Sequence, residues 1–265
     1  MASSAAFFDL DKTIIAKSST LAFGRPFYQG GLINRRTVLR SAYAQFLFAL
    51  AGADEDQMDR MRDYLTAMCA GWDVQQIRDI VTETLHEIID PLVYNEAVDL
   101  IGEHKAAGRD IVIISSSGDE VVRPIGEMVG ADHVIATRMV VNEGRYTGEV
   151  EFYAYGPHKA AGLRALAEER GYDLDQSFAY SDSITDVPML EAVGHAYAVN
   201  PDKALRKLAV ENGWPVLAFT NVVPLRERLS GLRPPQRVTG AVVAGTVAGL
   251  AGLAWHHRTR RASRV

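Results

Sequence analysis

The sequence predicts an α/β protein: a doubly wound parallel sheet, a helical module inserted after the first strand, and an apolar C-terminal helix. Three observations carry this reading. From Pro91 onward, short apolar or β-branched runs alternate with stretches of helical periodicity, as in sheets whose parallel strands are joined by crossover helices. Between about 16 and 90 the periodicity is helical and no strand is convincing. From Val238 to Trp255 eighteen residues carry no charge.

The first strand is expected at Ala5 to Phe8, a buried run that ends on Asp9. Asn34 to Leu50 reads as a helix, with Val38, Leu39, Ala42, Phe46 and Leu47 at steps of three and four. A second helix should run from a cap at Asp54 to about Ala70, and a third from Asp73 to about Ile89, where Asp90-Pro91 breaks the pattern. Beyond it the expected order is helix Leu92–Ala107, strand Ile111–Ile114, helix Asp119–Val129 and strand His133–Thr137. Met139 to Phe152 alternates around Asn142-Glu143-Gly144, a hairpin signature. A helix from Pro157, a strand Ser177–Tyr180, a helix Val187–Ala192, strands His195–Val199 and Pro215–Phe219 and a helix from Asp202 between them complete the pattern. The expected division is a core of 1–15 and 91–225, an insertion of 16–90, a linker of 226–237 and an apolar segment of 238–255.

Composition narrows the function. With 33 carboxylates against 28 Lys and Arg, the chain is mildly acidic and poorly suited to coating nucleic acid. One cysteine, Cys69, excludes an internal disulfide framework and reads as a small buried apolar residue. No basic n-region or long apolar stretch opens the chain, so the catalytic part is expected in the cytoplasm. The segment 238–255 is just long enough to cross a bilayer and would anchor that part to a membrane. Basic residues flank it on both sides, so its orientation is unreadable.

Four polar clusters fall where strands end. Asp9 and Asp11 stand two apart in DLDKT, and two carboxylates leaving an apolar strand call for a compensating charge. Hard oxygen donors favour Mg²⁺, although an Asx-rich turn gives the same string. Ser115-Ser116-Ser117-Gly118 offers hydroxyls and free N–H groups at a strand-to-helix junction, fit for phosphate oxygens. Lys159 opens a helix and either neutralises a phosphate or stands solvated. Asp182 and Asp186 in DSITD form a second carboxylate pair able to complete a metal shell. Their order on this strand pattern discriminates better than any one of them. His104, His133, His158 and His195 read as structural or without assigned chemistry, and Arg25, Arg36 and Arg40 read either as facing the cleft or as solvated.

FFDLDKT, IVIISSSG, Lys159 and YSDSITDVPML together resemble the four motifs of haloacid dehalogenase-like hydrolases. The helical insertion and the hairpin Arg138 to Glu151 resemble the phosphoserine-phosphatase-like branch with its helical cap, over about residues 5 to 222. The resemblance implies a Mg²⁺-dependent phosphomonoesterase acting on a small phosphorylated substrate. Asp9 would be the nucleophile and Asp11 the general acid and base. Asp9, Asp11, Asp182 and Asp186 would serve the metal, Ser115, Ser116 and Lys159 would hold the phosphoryl oxygens, and Thr13 would orient the loop by a hydrogen bond. Ser18 stands where that branch carries a substrate-binding glutamate, Ser181 where it carries glycine, and Thr185 where it carries asparagine. The first departure puts phosphoserine in doubt as substrate and admits a lipid-linked or other non-amino-acid phosphate. Phosphotransfer uses the same chemistry, and a membrane-tethered binding protein without activity is the reading from another class.

Overall fold

The computed structural model describes residues 3–33 and 66–222. Its sheet has seven strands: β1 (Ala5–Asp9), β2 (Asp110–Gly118), β3 (His133–Asn142), β4 (Arg145–Phe152), β5 (Phe178–Ser181), β6 (His195–Val199) and β7 (Val216–Leu217). They lie in the order β4-β3-β2-β1-β5-β6-β7, and only β3 and β4 pair antiparallel. The described α-helices are α1 (Ser19–Ala22), α2 (Gly24–Gln29), α3 (Val74–Ile89), α4 (Asn95–Ala106), α5 (Asp119–Val129), α6 (Pro157–Arg170), α7 (Val187–Leu190) and α8 (Lys203–Asn212).

β1 is fully buried and central, which explains its unbroken apolar run. Side chains alternate across a strand, so Ala6 and Phe8 join one core cluster while Ala5 and Phe7 join the other. β2 repeats the division, with Ile111 and Ile113 on the first side and Val112 and Ile114 on the second. Two dry layers therefore clamp the sheet. The order in which strands are added reverses at β1: β2 lies on one side and β5 on the other, both parallel to it. Their carboxyl ends open together beside Asp9, where doubly wound sheets form their crevice.

Several expected elements are re-bounded. The strand forecast as Ile111–Ile114 runs on to Gly118, so the serine cluster lies within it rather than after it. β2 then breaks step with β3: Ser115 faces Ala136 and Gly118 faces Thr137, leaving Ser116 and Ser117 as a bulge. The bulge's backbone is satisfied locally, Ser117 N–H donating to Ser115 Oγ and Thr137 Oγ1 donating to the Ser116 carbonyl. Two predicted strands merge into β3, which enters the forecast hairpin through Glu143 (φ 49°) and Gly144 (φ 75°). Both residues are left-handed, as a two-residue turn matched to strand twist requires. The helix expected from Leu92 starts at Asn95, because Asp90–Leu92 forms a 3-10 turn. α7 stops at Leu190 rather than Ala192, and β7 keeps only two of five expected residues. α1 and α2 were not foreseen, since four and six residues are too few to show a period.

The hairpin tip is bonded to the start of α3. Gly71 N–H donates to the Tyr146 carbonyl, Tyr146 N–H to Trp72 and Val74 N–H to Gly144. Tyr146 Oη donates to Glu120 at 2.5 Å. The predicted helix Asn34–Leu50, most of the helix ending near Ala70, the linker 226–237 and the segment 238–255 fall outside the described residues, as do Arg36 and Arg40. Among the described residues no helix is long and apolar enough to cross a membrane. Cys69 is half-buried, and burial pushes its thiol up to about 11.

His104 is structural, as expected. It is buried at 3 % exposure, its Nδ1 lies 3.2 Å from Arg109 and its Nε2 lies 2.8 Å from Tyr180 Oη. Arginine only donates, so Nδ1 accepts and Nε2–H faces the tyrosine. Burial, then the Arg109 charge, lower its pKa from 6.5 to about 4. The fold thus favours neutral His104: the contribution is complete above pH 6.5 and is lost as pH falls toward 4. In urea titrations, His104→Gln should flatten that acid-side loss, which is at most about 3 kcal/mol at about 1.4 kcal/mol per pKa unit.

Candidate active site

Three strand ends and one helix start build the site. β1 delivers Asp9, 5 % exposed, at its last position. Lys12 takes a left-handed backbone (φ 62°), which turns the chain after Asp11. Leu10 accepts from the N–H groups of Ile14 and Ile15, tightening the same loop. β5 delivers Ser181 and Asp182, and the 3-10 turn Ile184–Asp186 brings Asp186 back. Asp202 pins this loop from outside, its Oδ2 accepting from Ile184 N–H and its own N–H donating to the Asp182 carbonyl. α6 begins at Pro157 behind Gly156, and its third residue is the buried Lys159.

Lys159 Nζ donates to Asp9 Oδ1 at 2.6 Å and to Asp186 Oδ2 at 2.8 Å. All three groups are buried, so this is a charge cluster out of water. Asp186 Oδ2 also accepts from Ser181 Oγ at 2.6 Å, which gives the hydroxyl at that departure from the family pattern a definite partner. Lys12 Nζ stands 3.9 Å from Asp182, exposed to solvent. Burial pushes the Asp9 carboxyl well above the carboxylate range; the Lys159 charge opposes this, while Asp186, Asp11 and Asp182 add to it. Burial, only partly offset by Lys12, carries Asp182 up to about 6. For Lys159, desolvation pulls the ammonium down, yet the two carboxylates beside it hold it above its ordinary value. Lys159 therefore stays charged, and the excess negative charge falls on the aspartates.

Of the predicted residues, Asp9, Lys159, Asp186 and Asp182 meet here, with Asp11 half-buried beside them. Ser115 is buried within β2, just before the bulge, and its Oγ accepts from Ser117 N–H. Ser116 is exposed. Ser18 precedes α1 without a side-chain cap bond. Arg25 is exposed. Thr13 corrects an expectation: its Oγ1 is buried with no hydrogen-bond partner among the described residues, and the loop is held by backbone bonds instead. Sequence reasoning missed Ser19 and Asp202, and it placed Ser117 in a phosphate-binding cluster without its contact with Asp11; these parts depend on a bulge and on contacts between distant segments.

Among the described residues no three acidic, His or Cys side chains are gathered closely enough to ligate one ion as they stand. The donor set nevertheless fits a hard cation. Among the described residues Asp186 Oδ1 is buried with no partner. Among the same residues the four carboxylates are met by the ammonium groups of buried Lys159 and exposed Lys12. A further positive charge beside Asp9, Asp182 and Asp186 would satisfy both deficits, and all-oxygen donors suit Mg²⁺.

A family model described as haloacid dehalogenase-like hydrolase matches residues 6–191. Curated relatives include the "inhibition of morphological differentiation protein" of Streptomyces azureus, 62% identical over 98% of this chain and 95% of its own length. A probable phosphatase of Mycobacterium tuberculosis is 60% identical over 96% and 86%. A phosphoserine phosphatase of the same organism is 32% identical over 93% and 80%. Among solved structures, a Bordetella pertussis protein of unknown function superposes with TM-score 0.73 at 26% identity, covering 82% of this chain and 99% of that one.

Removing the ammonium leaves two buried carboxylates facing each other. Lys159→Met should therefore lower the urea midpoint by the equivalent of about 3 kcal/mol, the usual penalty for orphaning a buried charge. The deficit should shrink as pH falls, because the Asp9 carboxyl, pushed up by burial, takes up a proton.

Proposed function

The chain belongs to the haloacid dehalogenase-like hydrolase family, and we propose that it is a Mg²⁺-dependent phosphatase of small phosphomonoesters that works through an aspartyl-phosphate on Asp9. The observation that carries this reading is the buried Lys159 ammonium bonded to both Asp9 and Asp186 at the mouth of the sheet. The probable-phosphatase name of the M. tuberculosis relative supports the reaction class.

Asp9 Oδ attacks phosphorus while the ester bond breaks, and its electron pair leaves on the alcohol oxygen. Asp11 gives that oxygen a proton, then takes one from the water that cleaves the aspartyl-phosphate. Lys159 holds phosphoryl oxygens and keeps Asp9 aimed. Ser115, in the carboxyl-terminal half of β2, binds the transferring group with Ser116. Asp9, Asp182 and Asp186 with the Asp11 carbonyl would hold Mg²⁺, which when bound supplies positive charge against the phosphoryl oxygens. The inserted segment 16–90 is assigned as a cap over a core of 1–15 and 91–225. Ser18 in place of an acidic residue favours a phosphate ester without an ammonium group beside the phosphate.

With a chromogenic phosphate ester and Mg²⁺, the native chain should turn over and Asp9→Asn should lose at least about 10³-fold, since an amide is no nucleophile. Chelation should abolish the native rate and added Mg²⁺ should restore it; equal rates for the two proteins would sink the assignment. Ser18→Glu should raise kcat/KM for phosphoserine about tenfold, the worth of one charge-assisted hydrogen bond. No gain would mean that the pocket differs by more than this residue.

A further inference from the structure

We propose that Ser117, together with Ser19 and Thr20 of α1, is the positioning device for Asp11, so that protonation of the leaving alcohol depends on α1 being docked against β2. The inference rests on the phosphatase reading and specifies how its acid is held.

The contacts leave little freedom. Ser19 N–H donates to Asp11 Oδ1 at 2.8 Å, and Ser117 Oγ donates to Asp11 Oδ2 at 3.2 Å. Ser19 Oγ donates to Ser117 Oγ at 2.9 Å, and Thr20 Oγ1 lies 3.0 Å from the same atom. A hydroxyl has one proton and two lone pairs. With its proton on Asp11, Ser117 can only accept from Thr20 and Ser19, so the donor directions are set and the group is saturated. Both Asp11 oxygens are held, one by backbone from α1 and one by a side chain from β2. Ser19 is fully buried and Ser117 is 7 % exposed, so water competes poorly for these bonds.

Ser117 reaches Asp11 only because of the bulge. Ser116 and Ser117 are the two residues that β2 carries beyond the pairing with β3, and their backbone groups are tied by Ser115 and Thr137. Bulges re-aim a side chain near an active site. Here the re-aimed group is the one that touches the acid, and its other two partners come from the segment assigned as the cap. Undocking α1 removes the Ser19 N–H and both donors to Ser117 together.

In the transfer step Asp9 bonds to phosphorus, the P–O ester bond breaks, its electron pair goes to the departing oxygen, and Asp11's proton neutralises that oxygen. Asp11 ends as a carboxylate, accepting from Ser19 N–H and Ser117 Oγ as observed. An alkyl alcohol leaves badly without the proton, whereas dinitrophenolate leaves without help. Cleavage of the aspartyl-phosphate is common to both esters and does not enter kcat/KM.

The test measures kcat/KM of the full chain with Mg²⁺ on a simple alkyl phosphate and on 2,4-dinitrophenyl phosphate. Positioned general acids are worth about 10²–10⁴-fold, and losing the orientation of one should cost part of that. Ser117→Ala is expected to lose about 10- to 100-fold on the alkyl ester and under about threefold on the dinitrophenyl ester, with Ser117→Thr recovering most of the loss. Ser19→Ala, which keeps the backbone bond, should show the same selectivity at smaller size and serves if Ser117→Ala does not fold. Equal losses on the two esters in either variant would overturn the positioning role. A native chain inactive on both esters would instead overturn the phosphatase reading on which it rests.

Discussion

The buried contact of Lys159 with Asp9 and Asp186 is the constraint around which the molecule is arranged. Desolvating three charged groups costs several kcal/mol for each, and the attraction among them returns that only if geometry and hydrogen bonding are nearly complete. Every nearby element serves this end. β1 fixes Asp9 at the exit of a fully buried strand, and α6 projects Lys159 from its first turn. The 3-10 turn after β5 swings Asp186 to the other side of the ammonium, and Ser181 takes up what remains of Oδ2. Among the described residues the carboxylates still outnumber the cations, and Asp186 Oδ1 has no partner. A site of this kind is not at its own electrostatic optimum. Its residual demand for positive charge is what a phosphoryl-transfer centre uses when it gathers a divalent ion and an anionic ester.

Such a site depends on rigidity elsewhere. The two core clusters clamp β1 and β2 from both faces, with Phe8 stacked on Tyr180 at 4.5 Å and Phe7 edge-on to Tyr172. This packing braces the strand that carries Asp9 and the end of β5 from which the turn to Asp186 departs. Pairs of this type lose more from a small displacement than an apolar contact does, since unpaired charge in a dry setting is penalised in full. The core thus acts on the chemistry through the sheet without touching it.

Much of this was legible in the chain. A carboxylate at the end of an apolar run, as at Asp9, is also what an Asx-rich turn gives, and it was its combination with Asp182 after Phe178–Ser181 and the other clusters that pointed to a site. The parallel sheet and its crevice followed from the alternation of strands and helices, whereas the strand order comes from the fold. The membership of Lys159 was less secure, because a lysine in a first helical turn is ordinarily solvated; only the fold shows it at 3 % exposure. What could not be read is what depends on contacts between distant segments. The bulge at Ser116 and Ser117 exists only against Thr137, and α1 is too short to announce itself by periodicity. Thr13 marks the limit of reasoning by family pattern, since its hydroxyl is buried and unbonded among the described residues.

The two halves of the site are held by different physics. Asp9 and Asp186 are fixed by a short ion pair inside the core, which neither water nor a moving segment readily disturbs. Asp11 is fixed by neutral donors, one N–H and one hydroxyl, from two elements that are neighbours only while α1 is docked. Hydrogen bonds of this kind are each worth about 1 kcal/mol net and can be made and broken with the docking of a short helix. In the proposed mechanism a nucleophile must be ready before substrate arrives, so permanent electrostatic clamping suits Asp9. A group that would give and then take a proton is suited by donors that fix the direction of its carboxyl while α1 is docked. On the proposed reading, the group that attacks is held wholly from the core, whereas the group that moves the proton takes part of its support from α1.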